Sequence, residues 1–340
     1  MWTNKTGFAV FATFLVVTTL TVASPAHAAP VPAAPADDTT GGTATLWDPA
    51  RGTAVAGSDV AAGRILDAYW TPERMATATP ATAPTTTAPA TTGGATRAAT
   101  RPASTEPETI AAYPVAPGGT ANRAAVFANA NGKVFFRNAT NGGNFVCTAS
   151  AINSGSKRLV LTAGHCVHGG QGGTWHQNWV FVPGYNRGAR PLGTFPASAF
   201  RTFDSFIASS DYTRDIGFVV TGTNSTGATV VSAAGGHGFA ANAGTTVSVN
   251  VAGYPVDREG GEAQLFCTGT TRAWSTSVPG SQIDCGFSGG ASGGPWLRDA
   301  GSNGLGIVVS ETMGLSGTAN YGPAFDNTVL SMYNAVRDQT

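Results

Sequence analysis

Charge is scarce in this chain of 340 residues: Asp, Glu, Lys and Arg make up 11% of it, and 19 basic residues balance 19 acidic ones. No basic cluster is interleaved with aromatics, so a nucleic-acid partner is not expected. Sparse charge fits a surface rich in Gly, Ser and Thr, as on a secreted protein. Cysteine is scarce too, with four residues. No C-x-x-C pair accompanies Cys166, His168 and His176, so no metal site is expected, and nothing calls for a cofactor. His176 and His237 read as surface or structural histidines. No apolar run approaches the ~20 residues of a membrane span. Internal repeats are absent.

What the chain does have is glycine, with 45 residues, concentrated around one serine. Cys285-Gly-Phe-Ser-Gly-Gly-Ala-Ser-Gly-Gly-Pro-Trp296 places Gly289, Gly290, Gly293 and Gly294 on either side of Ser292. Glycine permits a tight exposed loop, and such a loop can turn backbone N–H groups toward an oxyanion. A lone serine is a weak nucleophile at neutral pH and needs a base and an orienter. The base is found in Leu159-Val-Leu-Thr-Ala-Gly-His-Cys166, an apolar strand with His165 at its end. The orienter is Asp215, which heads the apolar run Ile216-Gly-Phe-Val-Val220. Asp211 and Asp204 are rivals, but Asp211 lies beside Ser209, Ser210 and Tyr212, in what reads as a solvated turn. Gly290-Ala-Ser-Gly-Gly294 also fits a G-x-S-x-G elbow, whose histidine follows its serine. No histidine follows Ser292, which excludes that architecture within one chain.

Thr162-Ala-Gly-His-Cys166 and Gly290-Ala-Ser-Gly-Gly-Pro295, in the order His165, Asp215, Ser292, resemble the motifs of the chymotrypsin/trypsin-like serine proteases. The resemblance covers roughly residues 124–340. It is closest to secreted bacterial members, including glutamyl-endopeptidase-like ones, where Gly253-Tyr-Pro255, Cys267 and the serine run have counterparts. It implies an all-β fold of two six-stranded antiparallel β-barrels with a C-terminal helix. It also implies a serine endopeptidase acting on polypeptides, with a His165–Asp215–Ser292 triad and an oxyanion hole at the N–H groups of Gly290 and Ser292. The substrate pocket would involve Gly286, Phe287, Ser310 and Thr312. Four cysteines permit three pairings; Cys147–Cys166 would brace His165, and Cys267–Cys285 would tie the serine loop to the strand before it.

The chain divides into three parts. Residues 1–28 read as a secretory signal, with Lys5, an apolar run over 8–22 and small residues at Ala26-His-Ala28. Residues 29–123 form a leader whose Ala, Thr, Pro and Gly content reads as a solvated linker. One ordered island is expected at 58–70, where Ile65, Leu66, Tyr69 and Trp70 share a helical face; Thr71 and Pro72 then resemble a cap and first turn. The island resembles the short pro-segments of secreted proteases, which implies a zymogen. Residues 124–340 hold β-rich runs near 133–136, 158–161, 179–182, 218–220, 245–251, 264–266 and 306–310, separated by turn residues. The segment 325–337 has Val329, Leu330, Tyr333 and Val336 at helical spacing. The expected mature protein is a secreted, extracellular monomer without membrane contact.

Departures from the family pattern bear on specificity. Ala291 replaces the aspartate that receives a new N-terminus in activated trypsin-like members. Gly286 stands where Arg/Lys-specific members carry an aspartate, and Val309 where glutamate-specific ones carry a histidine. Asp284 is tied to the loop beside Cys285, and Glu311 should point away from Ser310 on an alternating strand. Weak preference for Arg and Lys is therefore expected, with small or medium uncharged residues accepted. An inactive homologue serving as a binding module, or an esterase on the same fold, would share these motifs.

Overall fold

The apolar runs at 133–136, 179–182 and 218–220 all form strands, and alternation along them feeds different cores. The computed structural model describes residue 1 and residues 38–56, 60–81, 109–114, 129–275 and 277–340. Met1 belongs to a unit spanning Met1–Ala34; the other described residues belong to a second unit, Pro35–Thr340. The leader contributes β1 (Thr39–Thr43), β2 (Thr45–Asp48), β3 (Thr53–Ala56), α1 (Val60–Tyr69), α2 (Pro72–Ala76), β4 (Thr79–Pro80) and β5 (Thr109–Ile110). Then come β6 (Asn131–Arg137), β7 (Asn144–Ala151), β8 (Leu159–Thr162), β9 (Gln177–Pro183), β10 (Phe195–Phe203), α3 (Asp204–Ser209) and β11 (Gly217–Thr221). The remainder is α4 (Val230–Ala234), β12 (Gly238–Ala240), β13 (Ser248–Gly253), β14 (Leu265–Thr270), β15 (Arg272–Ala273) and β16 (Gly280–Ile283). It ends with β17 (Pro295–Arg298), β18 (Ile307–Glu311), β19 (Gly314–Ser316), β20 (Ala319–Pro323) and α5 (Asn327–Val336).

Strands β6, β7, β8, β11, β10 and β9 pair in that order and β9 returns to β6, closing an antiparallel barrel. Val134, Phe136, Cys147, Val160, Phe181 and Val219 fill one core. Their sequence neighbours Leu159, Leu161, Phe218 and Val220 join a second core with Val329, Met332, Tyr333 and Val336 of α5. Asp326 caps that helix by accepting from the N–H groups of Thr328 and Val329. Met332 completes its buried face in place of Leu330, which the spacing put in that stripe and which is only partly buried.

The second half is built from the sheet β14–β13–β17–β18–β12–β5 and the sheet β15–β16–β20–β19. Ser310 Oγ donates to the carbonyl of Pro323 at 2.8 Å and ties the two. Its core includes Val251, Ile283, Phe287, Trp296 and Val309. The β12–β18 pairing is parallel; the other pairings of these two sheets are antiparallel.

The leader is more ordered than its composition suggests. Leu66, Tyr69 and Trp70 are buried with Met75 against Phe135, Val146, Val180 and Val182, outward-facing residues of the barrel strands, and against Tyr185 after β9 and Tyr254 after β13. Trp70 Nε1 also donates to the carbonyl of Asn178 at 2.6 Å. Thr71 accepts from the N–H of Arg74 and Pro72 opens α2, as the sequence indicates. Order is not confined to 58–70, however: β1 pairs with β10, β2 with β9, β4 with β7 and β5 with β12. Thr, Gly and Ala cannot build a core, yet their backbones pair with an exposed strand edge as well as any others do. Residues 2–28 of the proposed signal, and residues 82–92 of the Ala/Thr/Pro tract, lie outside the described residues. Among the described residues no helix is long and apolar enough to cross a membrane.

Candidate active site

Strand β8 ends at Thr162, and a short 3-10 turn, Gly164–Cys166, carries His165. Asp215 ends another 3-10 turn, just before β11, and its side chain is fully buried. The register Gly217 opposite Thr162 brings these two chain ends together. Asp215 Oδ2 lies 2.6 Å from His165 Nδ1, and Oδ1 accepts from the His165 backbone N–H at 2.6 Å. One carboxylate thus fixes both the ring and the backbone of the histidine. With Nδ1 protonated against Asp215, Nε2 is left as the basic nitrogen; it is buried and has no hydrogen-bond partner among the described residues. Asp211 is occupied elsewhere, accepting from the N–H and hydroxyl of Thr213 at 3.0 and 2.7 Å. Asp204 accepts from the hydroxyl of Thr40 in the leader.

The serine loop is held from the first barrel by Thr148. Its N–H donates to the carbonyl of Ser292 at 2.8 Å, and its hydroxyl donates to the carbonyl of Gly290 at 2.8 Å. Gly293 has φ +81°, and a Cβ there would stand 2.3 Å from the carbonyl oxygen of Thr148. Gly290 has φ +91°, with the Tyr254 carbonyl 2.6 Å from where a Cβ would be. Both positions require glycine, because a side chain would collide with backbone. Among the described residues, the N–H groups of Gly290 and Ser292 donate to no other backbone group. The disulfide Cys147–Cys166 braces the turn that carries His165, and Cys267–Cys285 joins β14 to the segment leading into the serine loop.

Behind His165 stands His176, expected as a surface or structural histidine and buried here. Its ring stacks on Phe136 at 4.3 Å, and its Nε2–H donates to the His165 carbonyl at 3.0 Å. Burial pushes its pKa down to about 3, so it stays neutral. His237 is likewise held neutral by burial, at about 3, bonding Asn131 at 2.7 Å and Gly306 at 3.2 Å. Cys166 is in a disulfide, so its sulfur is not available as a thiolate ligand.

The four pocket candidates are drawn into the frame. Phe287 is buried, with its N–H and carbonyl both bonded to Asn320 at 2.8 Å. Thr312 Oγ1 accepts from Trp296 Nε1 at 3.0 Å, Ser310 bonds Pro323, and the carbonyl of Gly286 accepts from Arg258 at 3.2 Å. Arg258 also bonds the carbonyl of Cys285 at 3.1 Å and lies over the Phe287 ring. Glu311 is fully buried and bonds the N–H of Gly293, whereas Ser310 bonds Pro323. A cavity of about 170 Å³ opens beside His165, lined by Phe136, Phe145, His168, Phe206, Tyr212 and, from the leader, Ala81. The N–H of Ala81 donates to the carbonyl of Val146 at 3.0 Å. The pattern of the sequence held no signal for this contact, nor for Thr148, because both depend on which edge meets which loop.

Comparison with known proteins agrees with this arrangement. Residues 147–307 match the family described as trypsin-like peptidase domain. No curated protein matches the chain. The thermostable serine protease AL20 from an extremophilic microorganism is 30% identical, with 64% of this chain and 100% of that chain aligned and a TM-score of 0.58. The protease Anisep from Arthrobacter nicotinovorans is 29% identical over 68% of this chain and 99% of its own, with a TM-score of 0.56. A Glu endopeptidase shares the fold at 21% identity, with 65% of this chain and 95% of that one aligned and a TM-score of 0.51. With the chymotrypsin-like fold and a relative matched over its whole length, the chain belongs to the trypsin-like serine protease family.

Proposed function

We propose that this protein is a secreted serine endopeptidase working through an acyl-enzyme. The observation that carries the reading is the double grip of Asp215 on His165, which fixes the tautomer a general base requires. Ser292 Oγ attacks the peptide carbonyl while His165 Nε2 takes the hydroxyl proton. The tetrahedral oxyanion is held by the N–H groups of Gly290 and Ser292. The C–N bond breaks, the amine leaves with the proton from Nε2, and water hydrolyses the acyl ester by the same relay. Each oxyanion donor is worth about 2.7–4 kcal/mol in the transition state. A fluorophosphonate probe tests the nucleophile: the enzyme should be labelled and Ser292→Ala should not. Labelling of that variant would misplace the nucleophile.

The leader fits the role of a pro-segment. It covers the apolar outer face of the barrel, and Ala81 lines the cavity beside His165. Strand β4 runs parallel to β7 there, with Thr79 opposite Phe145 and Pro80 opposite Val146. The leader would then restrain the protease until cleavage before about residue 123, in or after the Ala/Thr/Pro tract, releases the domain outside the cell.

Specificity for uncharged side chains fits the site better than specificity for Arg or Lys. The guanidinium of Arg258 stands at Gly286, where basic-specific relatives carry a carboxylate, and Glu311 is sealed inside. A cationic side chain would meet a like charge and no buried partner.

A further inference from the structure

Glu311 is a glutamate in a place that gives it no cation. It is fully buried on β18, opposite Pro295 of β17. Its Oε2 accepts from the N–H of Gly293, the residue after Ser292, at 3.1 Å, and shares that donor with the carbonyl of Thr312 at 2.8 Å. Its Oε1 is buried with no hydrogen-bond partner among the described residues. The other groups that face it are few. From the segment before β11 comes the carboxylate of Asp215, which acts on Glu311 as a like charge, and His165 lies beyond it. A buried anion without a cation, next to a second anion, loses its solvation and gains only repulsion. Burial first, and the charge of Asp215 second, raise the Glu311 carboxyl well above the ordinary range, against the opposite pull of Gly293 N–H.

We infer that Glu311 is a positioning residue held as a neutral carboxylic acid. One oxygen joins the Thr312 carbonyl in holding the N–H of Gly293, and with it the backbone that carries Ser292. Its lack of charge spares His165 a second anion beside Asp215. The proton sits on Oε1, where no donor competes for it. An ionised Glu311 would strengthen the negative field at His165 and make the imidazole a base that holds its proton too long.

The folded state therefore retains a proton that the unfolded chain releases above the ordinary Glu pKa of about 4.3. The raised value in the folded state makes the stability linked to this group fully present below that pH. It is lost as pH rises toward the folded-state value.

The inference rests on the triad reading, and two arms of one experiment separate them. The first is the pH profile of kcat/KM for the wild type, Glu311→Gln and Glu311→Leu. Glu311→Gln keeps a neutral acceptor and should keep the acid-limb pKa within about 0.3 units. Glu311→Leu leaves Gly293 N–H with the Thr312 carbonyl alone and should lower kcat about threefold with KM little changed. A fall of about one unit in the acid-limb pKa of Glu311→Gln would show that a real anion had been removed, and would overturn the inference. So would full kcat in Glu311→Leu, or failure of Glu311→Gln to fold. The second arm needs no activity: thermal unfolding in a Ser292→Ala background, with and without Glu311→Gln, from pH ~4.5 to ~8. The Glu311 protein should lose stability relative to the Gln variant as pH rises. Parallel curves sink the neutral acid and leave the triad standing, whereas labelling of Ser292→Ala sinks the triad alone.

Discussion

At the scale of single residues, the decisive feature is that Asp215 has no exposure and spends both oxygens on His165. Asp215→Asn would preserve shape but turn an amide donor toward either the backbone N–H or Nδ1. Such a change in a serine-protease triad lowers kcat about 10⁴-fold through the wrong tautomer. Asp211→Asn should cost little, because Asp211 only caps a turn at Thr213. Comparing the kcat of both variants checks the assignment, and the reverse pattern would move the orienter to Asp211. Specificity is decided at this scale as well. Peptides with Ala or Leu before the scissile bond should be cut at least as well as those with Arg. A preference for Arg of about a hundredfold, some 2.7 kcal/mol, would contradict the placement of Arg258 and Glu311.

At the scale of elements, the barrel strands have two apolar faces and so need two partners. Val134 and Phe136 face inward, while Phe135 faces out under Trp70. The Tyr69 ring meets Trp70 edge-on at 5.0 Å, Trp70 tilts against Phe135 at 5.7 Å, and Phe135 meets Tyr185 edge-on at 5.5 Å. Truncating a buried tryptophan costs about 3–5 kcal/mol. Trp70→Ala in a Ser292→Ala background should therefore lower the unfolding free energy of the full chain by that order, read from denaturant curves. A change below about 0.5 kcal/mol, the range of surface substitutions, would mean that α1 adds little to the fold. This element was only half legible. Its helical face could be read from the spacing of Ile65, Leu66, Tyr69 and Trp70, whereas its target could not. The barrel strands it covers lie more than sixty residues away, and an outward apolar residue in a strand looks the same in sequence as an inward one.

At the scale of the whole molecule, the leader spans the two halves. It contributes β1, β2 and β4 to the first barrel and β5 to β12 of the second half. A peptide covering 38–81, added to enzyme purified without its leader, should inhibit peptide hydrolysis, and a version with Trp70→Ala should inhibit more weakly. Absence of inhibition at any concentration would make the leader an appendage. N-terminal sequencing of active protein from culture medium gives the companion observation. A start at Ala29 in fully active material would argue against a pro-segment.

The sequence by itself determined the His165, Asp215, Ser292 order, the glycines that the serine loop requires, and the apolar strands behind each of them. These are local constraints: a loop that needs positive φ, or a strand that must bury both faces, declares itself in neighbouring residues. The strands near 133–136 and 179–182 and the C-terminal helix were legible for the same reason. Only the tertiary structure decided that Thr148 clamps the serine loop, that His176 supports the carbonyl of His165, and that the leader's threonines pair with barrel edges. It also decided that Glu311 lies against Gly293 and near Asp215. Each of these joins chain segments far apart in sequence, through backbone groups that every residue carries or through burial that composition does not reveal. Where the partner is a carbonyl or an N–H, the side-chain alphabet contains no record of it, and closure of the barrel supplies the contact.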